Sequence, residues 1–239
     1  RPTTTKRFTL PTNCPVCKHQ VYQTDGEAIL RCGNTSCTKQ IKGRLKHFCS
    51  KGAMDIDGLG EKVINQLVDE GLLDSISSIF SITEQNLLSL ERFGEKSSSN
   101  LISAIKRSKK TSFSKFVYGL GIRNVGEHIA RLLERNYEGN IKRFRCASRN
   151  ELEQIEGVGQ IVANEIVEFW SNQSNCIMVD ECFVAGLVIE KTINNISEKL
   201  SGKTVVFTGS LKTISRKSAK EEIQKLGGRS PSSISKNTD

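Results

Sequence analysis

"QIEGVGQIVANEIVEFW", residues 154–170, sets Gly157 and Gly159 one residue apart and then starts a run with helical spacing. Glycine is a poor helix former, so a pair at a helix entrance points to a backbone that must turn sharply or lie bare. The pattern returns upstream. "MDIDGLGEKVINQLVDEG" places its second glycine at Gly60, "LLSLERFGEKSSSNLISAIKRS" has one at Gly94, and "YGLGIRNVGEHIARLLERN" has one at Gly126. With Gly159 the intervals are 34, 32 and 33 residues.

Each unit reads apolar, any, small or polar, apolar, Gly, then an amphipathic helix. The apolar positions are Val63, Ile64, Leu67 and Val68 after Gly60, and Ile129, Leu132 and Leu133 after Gly126. Around Gly159 they are Val158, Val162, Ile166 and Phe169, again at three- and four-residue steps. A period near 33 also fits ankyrin or TPR solenoids, but neither T-P-L-H nor W-x2-L-G occurs. The recurring element is a helix–hairpin–helix. Its bare hairpin lets another backbone approach, and the following helix aims unpaired N–H groups and its positive dipole end outward, a natural seat for phosphate. Contact of that kind reads no base sequence.

Phosphate contact is therefore expected at Gly58, Gly60, Gly157 and Gly159. In the degenerate units Arg92 and Asn124 replace the first glycine, and close packing explains Gly94 and Gly126 equally well. Lys62, Lys96 and Arg123 lie beside these hairpins as further DNA-binding candidates, with Arg107, Lys109, Lys110 and Arg131 nearby. Phe113, Phe116 and Tyr118 are expected in the core.

Upstream, "CPVCKHQVYQTDGEAILRCGNTSC" is C-x2-C, fourteen residues, then C-x4-C. "VYQT" and "EAILR" read as two strands joined at Asp25-Gly26, a dipeptide that accepts a type I′ turn. That hairpin would bring Cys32 and Cys37 back to Cys14 and Cys17. Four thiolates suit one tetrahedral Zn²⁺ with no open position for a substrate, so the site is structural. Two disulfides or reduced thiols are the alternatives. Lys18, Arg31, Lys39 and Lys42 would offset the site's negative charge. Loss of one ligand is expected to unfold residues 13–50 and spare the helical domain. His19 and His47 are expected as ordinary surface histidines, and Cys49, Cys146, Cys176 and Cys182 as buried or inert thiols.

The net charge of +9 is unevenly spread. Residues 1–50 carry 9 Lys/Arg against 2 Asp/Glu, residues 51–190 carry 16 against 20, and residues 191–239 carry 10 against 4. Basic flanks suit a polyanionic partner but do not identify it. No apolar run is long enough for a membrane span. Neither end has an obvious closing element, and the chain reads as part of something longer. In the tail, "GKTVVFTGSL" predicts a strand at 203–207, a turn at Thr208-Gly209 and a helix at 218–226. "SGKT" is not a phosphate-binding P-loop, because Ser197 stands where the upstream glycine is required.

In this order, "CPVC…RC…C", "LKHFCSKGAMDIDGLGEKVINQL", "FVYGLGIRNVGE" and "GKTVVFTGSL" resemble the C-terminal portion of a bacterial NAD⁺-dependent DNA ligase. The resemblance implies a mainly α, multidomain chain. Residues 1–12 would end a preceding OB domain, 13–50 form a four-cysteine zinc finger with its β-hairpin, and 51–190 form a four-fold helix–hairpin–helix domain. Residues 191–200 would be a linker, and 201–239 the first part of an α/β BRCT domain. It implies a cytoplasmic, nucleoid-associated monomer that grips nicked double-stranded DNA in replication and repair. NAD⁺ and Mg²⁺ would serve the full-length enzyme and not this part. The adenylylated lysine would lie outside the sequence, leaving this part inactive alone. Thr208, Gly209 and Lys236 resemble a phosphate-binding trio of some BRCT domains, without an expected function here. The other readings are a non-catalytic helix–hairpin–helix module of a recombination or excision-repair protein, and a protein-interaction solenoid.

Overall fold

The computed structural model describes residues 10–23, 28–190, 198–200, 202–209, 211, 214–231, 233–234 and 238–239. The Asp25-Gly26 turn and Lys236 lie outside them. The fold is mainly helical and divides into two compact units, Arg1–Lys191 and Thr192–Asp239.

The first unit opens with β1 (Val21–Gln23) and β2 (Leu30–Cys32), paired antiparallel with Tyr22 opposite Arg31. Helix α1 (Thr38–Cys49) follows and packs on α2 (Glu61–Asp69). Three further pairs repeat that arrangement: α3 (Glu84–Leu88) with α4 (Glu95–Ser108), and α5 (Phe113–Gly119) with α6 (Glu127–Tyr137). After the short α7 (Ile141–Arg145) comes the last pair, α8 (Arg149–Glu153) with α9 (Gln160–Ser171). Helix α10 (Gln173–Val184) leads into β4 (Val188–Glu190), which runs parallel to β3 (Lys110–Ser112).

The four corners share one construction. A buried apolar residue opens each: Ile56, Leu90, Ile122 and Ile155. Its carbonyl accepts the N–H of the residue three on, at 3.2 Å from Leu59, 3.3 Å from Phe93, 3.1 Å from Val125 and 2.9 Å from Val158. Between them one residue sits in the left-handed region: Gly58 (φ 88°), Arg92 (71°), Asn124 (60°) and Gly157 (92°). Leu59, Val125 and Val158 are buried and Phe93 is half-buried, so each corner is pinned to the core from both sides.

One apolar cluster runs from Leu45 to Leu187 through all four pairs. The helical spacing read from the sequence holds: Ile64, Leu67, Val68, Leu133, Val158 and Ile166 are buried, and Val63, Ile129, Leu132, Val162 and Phe169 pack against the cluster. Phe113 and Phe116 are fully buried and Tyr118 partly so. Helix α1 belongs to this core, because Leu45 and Phe48 are wholly buried and Cys49 nearly so. The Phe48 ring meets Phe80 and Phe116 edge-on, with centroids 6.1 and 6.3 Å away. Thus α1 starts at the cysteine module and ends as the first helix of the first hairpin pair.

In the second unit, the helix expected at 218–226 is α11 (Arg216–Lys225), with Ala219 buried. The strand expected at 203–207 is a single parallel bridge between Thr204 and Arg229. Two backbone bonds flank it, Val205 N–H to Arg229 O at 2.7 Å and Arg229 N–H to Lys203 O at 2.8 Å. One pairing is too short a ladder to extend into a strand. Asp239 accepts from the Thr204 N–H and pairs with Lys203, both at 2.7 Å.

Phe48→Ala should cost about 3–5 kcal/mol, the usual penalty for emptying a buried aromatic site. Hydrogen exchange should quicken in α5 as well as α1, because the ring packs against Phe116. Loss of protection confined to α1 would contradict a shared core.

Candidate metal centre and nucleic-acid interface

Two tight turns aim the first four thiols at one point. In the first, the Cys14 N–H donates to His19 O at 2.8 Å and the Lys18 N–H to Cys14 O at 2.9 Å, with Lys18 left-handed (φ 60°). In the second, the Cys37 N–H donates to Asn34 O at 3.0 Å, and Cys37 is the N-cap of α1. The β1–β2 pairing brings the turns together. The sulfurs of Cys14, Cys17, Cys32 and Cys37 all lie within 4.8 Å of one another, and those of Cys17 and Cys32 are 3.4 Å apart. Four sulfurs about 2.3 Å from a common tetrahedral centre stand roughly 3.8 Å apart, so the cluster fits Zn²⁺. All four cysteines are free, not disulfide-bonded.

The thiols also press on one another. The His19 backbone amide, with smaller help from neighbouring groups, lowers the Cys17 thiol to about 6. At Cys32 the Asn34 backbone pulls down, but desolvation and the Cys17 and Cys14 sulfurs raise it to about 12. One thiolate thus forms readily and the next is opposed, a conflict that a divalent cation at the centre removes.

The basic residues expected to offset the cluster are partly committed elsewhere. The Lys42 ammonium lies 2.6 Å from Asp69 Oδ1 on α2, and the Lys18 ammonium donates to Pro15 O. Arg44 reaches back from α1 to Thr35 O at 2.7 Å, tying the second cysteine turn to the helix. His47 is not an ordinary surface residue: it is half-buried, with Nε2 2.7 Å from Tyr118 O and its ring edge-on to Tyr118. A carbonyl only accepts, so Nε2 carries the proton. Cys49, Cys176 and Cys182 are buried, whereas Cys146 is exposed.

At the hairpins the two glycine positions differ. The first needs a left-handed backbone, and packing also restricts it: a Cβ on Gly157 would stand 2.9 Å from Leu132 Cδ1. The second glycine, Gly60, Gly94, Gly126 or Gly159, is the N-cap of α2, α4, α6 or α9 in extended conformation. At all four, an added Cβ would meet nothing within 4 Å. Neither strain nor packing within the chain therefore calls for glycine there. What these positions keep open is the approach from outside to the first N–H groups of each helix.

The basic candidates separate. Lys62 and Lys96, in the first turns of α2 and α4, are exposed. Arg123 is half-buried and lies 3.3 Å from Glu165 on α9, so it joins the third pair to the fourth. Between the first two pairs lies an open cleft of about 1390 Å³, whose walls include Gly58, Lys62, Arg92, Ser97, Asn100 and Arg107. Acidic groups, Asp57, Glu70 and Glu91, share those walls. No helix among the described residues is long and apolar enough to cross a membrane.

Comparison with known proteins follows this architecture piece by piece. Residues 13–38 match the NAD-dependent DNA ligase C4 zinc finger domain. Residues 51–107 match the SAM-like helix-hairpin-helix tandem, 115–179 the helix-hairpin-helix motif, and 195–239 the BRCA1 C Terminus (BRCT) domain. The chain is 39% identical over 236 residues to a DNA ligase of Desulfosudis oleivorans, covering 97% of this chain and 35% of that protein. A DNA ligase of Koribacter versatilis is 40% identical over 234 residues, covering 98% of this chain and 35% of that one. One from Coxiella burnetii is 38% identical over 240 residues, covering all of this chain and 36% of its own length. The chain thus spans about a third of the length of these relatives. The zinc-finger match and the four-sulfur cluster together support a structural Zn²⁺ here.

The contrast between the glycines is measurable in the fold alone. Gly157→Val should cost about 1–3 kcal/mol through its left-handed backbone, with the Leu132 contact adding to that. Gly159→Val should cost less, under about 1 kcal/mol, from a poorer N-cap only. Denaturant midpoints in the reverse order would refute the two backbone assignments.

Proposed function

We propose that this chain is the zinc-finger, helix-hairpin-helix and BRCT portion of an NAD-dependent DNA ligase, and that it grips the backbone of nicked duplex DNA for the sealing reaction. The observation that carries this reading is the open space at all four hairpin N-caps. Phosphate oxygens accept from the unpaired N–H groups of Gly60, Gly126 and Gly159 and their first-turn neighbours, where the helix dipoles favour negative charge. Lys62 and Lys96 add charge next to two of these ends. Arg123 instead holds the third hairpin against the fourth. The left-handed residues Gly58 and Gly157 keep the corners in shape. Contacts of this kind are indifferent to base sequence, which suits a protein that must act at any nick.

Cys14, Cys17, Cys32 and Cys37 hold the Zn²⁺, which closes two turns that have no apolar core of their own. The metal supplies no chemistry to the reaction; its four positions are filled by protein. Its effect reaches the grip through α1, which begins at Cys37 and ends inside the helical core. The sealing chemistry, with NAD⁺ and Mg²⁺, belongs to the full-length enzyme. A stand-alone helix-hairpin-helix module of a repair protein is disfavoured, because the similarity runs through the cysteine module and the tail as well.

Two measurements test the reading. Gly159→Val should weaken binding to nicked duplex with no regard to sequence, while Lys142→Ala, at an exposed position of α7, should not. The slope of log affinity against log salt should change little, since neutral N–H groups release few counterions. If a folded Gly159→Val chain binds like the parent, the N-cap is not a phosphate site.

Elemental analysis should find about one zinc per chain, lost in Cys37→Ser. On that loss, exchange should quicken across residues 13–37 and the start of α1. The half of α1 carrying Leu45 and Phe48 should keep its protection, so unfolding stops short of residue 50. A zinc-free parent, or melting of all of α1, would count against this assignment.

A further inference from the structure

Three of the four hairpin helices begin with a carboxylate, Glu61, Glu95 and Glu127; the fourth begins with Gln160. An acid in the first turn favours its own helix through the dipole, but it repels a phosphate arriving at the same end. The structure treats the three acids differently. Glu127 has Arg131 of the same helix at 3.9 Å. Glu95 has no ion pair among the described residues, and the neighbouring Gly94 N–H already donates to Ser97 Oγ at 2.9 Å. Glu61 is held from another element altogether: the Lys46 ammonium of α1 donates to Glu61 Oε2 at 2.5 Å. The hydrogen bond and charge of Lys46, with a smaller contribution from Lys39, keep the Glu61 carboxyl below its ordinary range.

We propose that Lys46 is a positioning residue for the DNA grip, holding and neutralising Glu61 so that the N-terminus of α2 can take a phosphate. This rests on the phosphate-binding role of the hairpins proposed above. Both side chains are more than half exposed, at 57% and 58%, so the pair adds little to stability. Its consequence falls on an incoming anion. With Lys46 removed, a free carboxylate faces the phosphate at the first hairpin. With Glu61 removed as well, nothing is left to neutralise. The arrangement also ties the first turn of α2 to α1, and so to the helix that starts at the zinc cluster.

The test is a cycle of Lys46→Ala, Glu61→Gln and the double variant in the full 239-residue chain, with nicked-duplex affinity read by fluorescence anisotropy. Circular dichroism in parallel checks that helix content is kept. Lys46→Ala should weaken binding about threefold, the effect of a like charge roughly 6 Å away in water. Glu61→Gln should bind at least as tightly as the parent, and the double variant should match Glu61→Gln. The salt slope should stay the same throughout. A double variant as weak as Lys46→Ala, with about one unit lost from the slope, would mark Lys46 as a direct phosphate contact and overturn the proposal. Lys46→Ala binding like the parent, or Glu61→Gln binding more weakly, overturns it too. A parent chain with no duplex affinity overturns the grip itself, a separate failure visible before any variant is made.

Discussion

A helix that follows another within a few residues must reverse the chain without hiding its own first N–H groups, and the four corners of this protein solve that with one left-handed residue. A buried apolar side chain enters the core, the chain passes through positive φ, and a second apolar side chain returns to the core. The N–H of that second residue closes on the carbonyl of the first. Anchored at both ends, the corner leaves the next residue as an extended N-cap with clear space outside it. Packing, turn and exposed helix end are therefore one construction. Disturbing the left-handed residue disturbs the core and the open end together.

Helix α1 carries a second dependence. Its N-cap is Cys37, one of the four clustered thiols, and its far end places Leu45, Phe48 and Cys49 in the core of the hairpin pairs. Lys42 to Asp69, Lys46 to Glu61 and His47 to the Tyr118 carbonyl add polar ties to α2 and α5. A short cysteine module has too little apolar surface to fold unaided. Here it is stapled at one end by its metal and at the other by a helix it shares with the larger domain. The shared helix gives each part a reason to fix the orientation of the other.

The sequence displayed most of this because periodic constraints leave periodic residues. The second glycines gave the repeat, the apolar spacing gave the buried helix faces, and the paired cysteines gave the cluster. What it concealed depends on contacts between distant positions. Arg123 stood beside a hairpin as a basic residue, and nothing local signals that Glu165 on a later helix takes it. His47 looked like a surface residue for the same reason. Arg92 was hard to read as left-handed, since arginine rarely adopts that conformation, although the repeat sets it where Gly58 and Gly157 stand. Asn124 is easier, because asparagine tolerates it. The start of the tail looked like a strand, but a strand is completed by its neighbours, and here one bridge to Arg229 is what forms.

The middle of the chain is mildly acidic, with 16 Lys/Arg against 20 Asp/Glu over residues 51–190, which looks wrong for a domain proposed to hold a polyanion. The difficulty is one of scale. At ordinary ionic strength, charges more than about 8–10 Å apart in solvent are largely screened, so a phosphate responds to the few groups within that distance. At these hairpins those groups are helix N–H donors first and side chains second. Acidic residues can accumulate elsewhere, as Asp180 does opposite Arg145 and Glu153 opposite Arg149, without weakening the proposed grip. The acids that matter are those in the first turn, where helix stability and anion affinity pull in opposite directions. Gln160 avoids the conflict and Lys46 relieves it at Glu61, whereas Glu95 keeps it beside an N-cap whose N–H is already taken. The four units need not be equal, then, although their backbones nearly are. The four units keep one turn because each must return a second apolar side chain to the core, whereas their first-turn side chains, Glu61, Glu95, Glu127 and Gln160, face no such demand and differ.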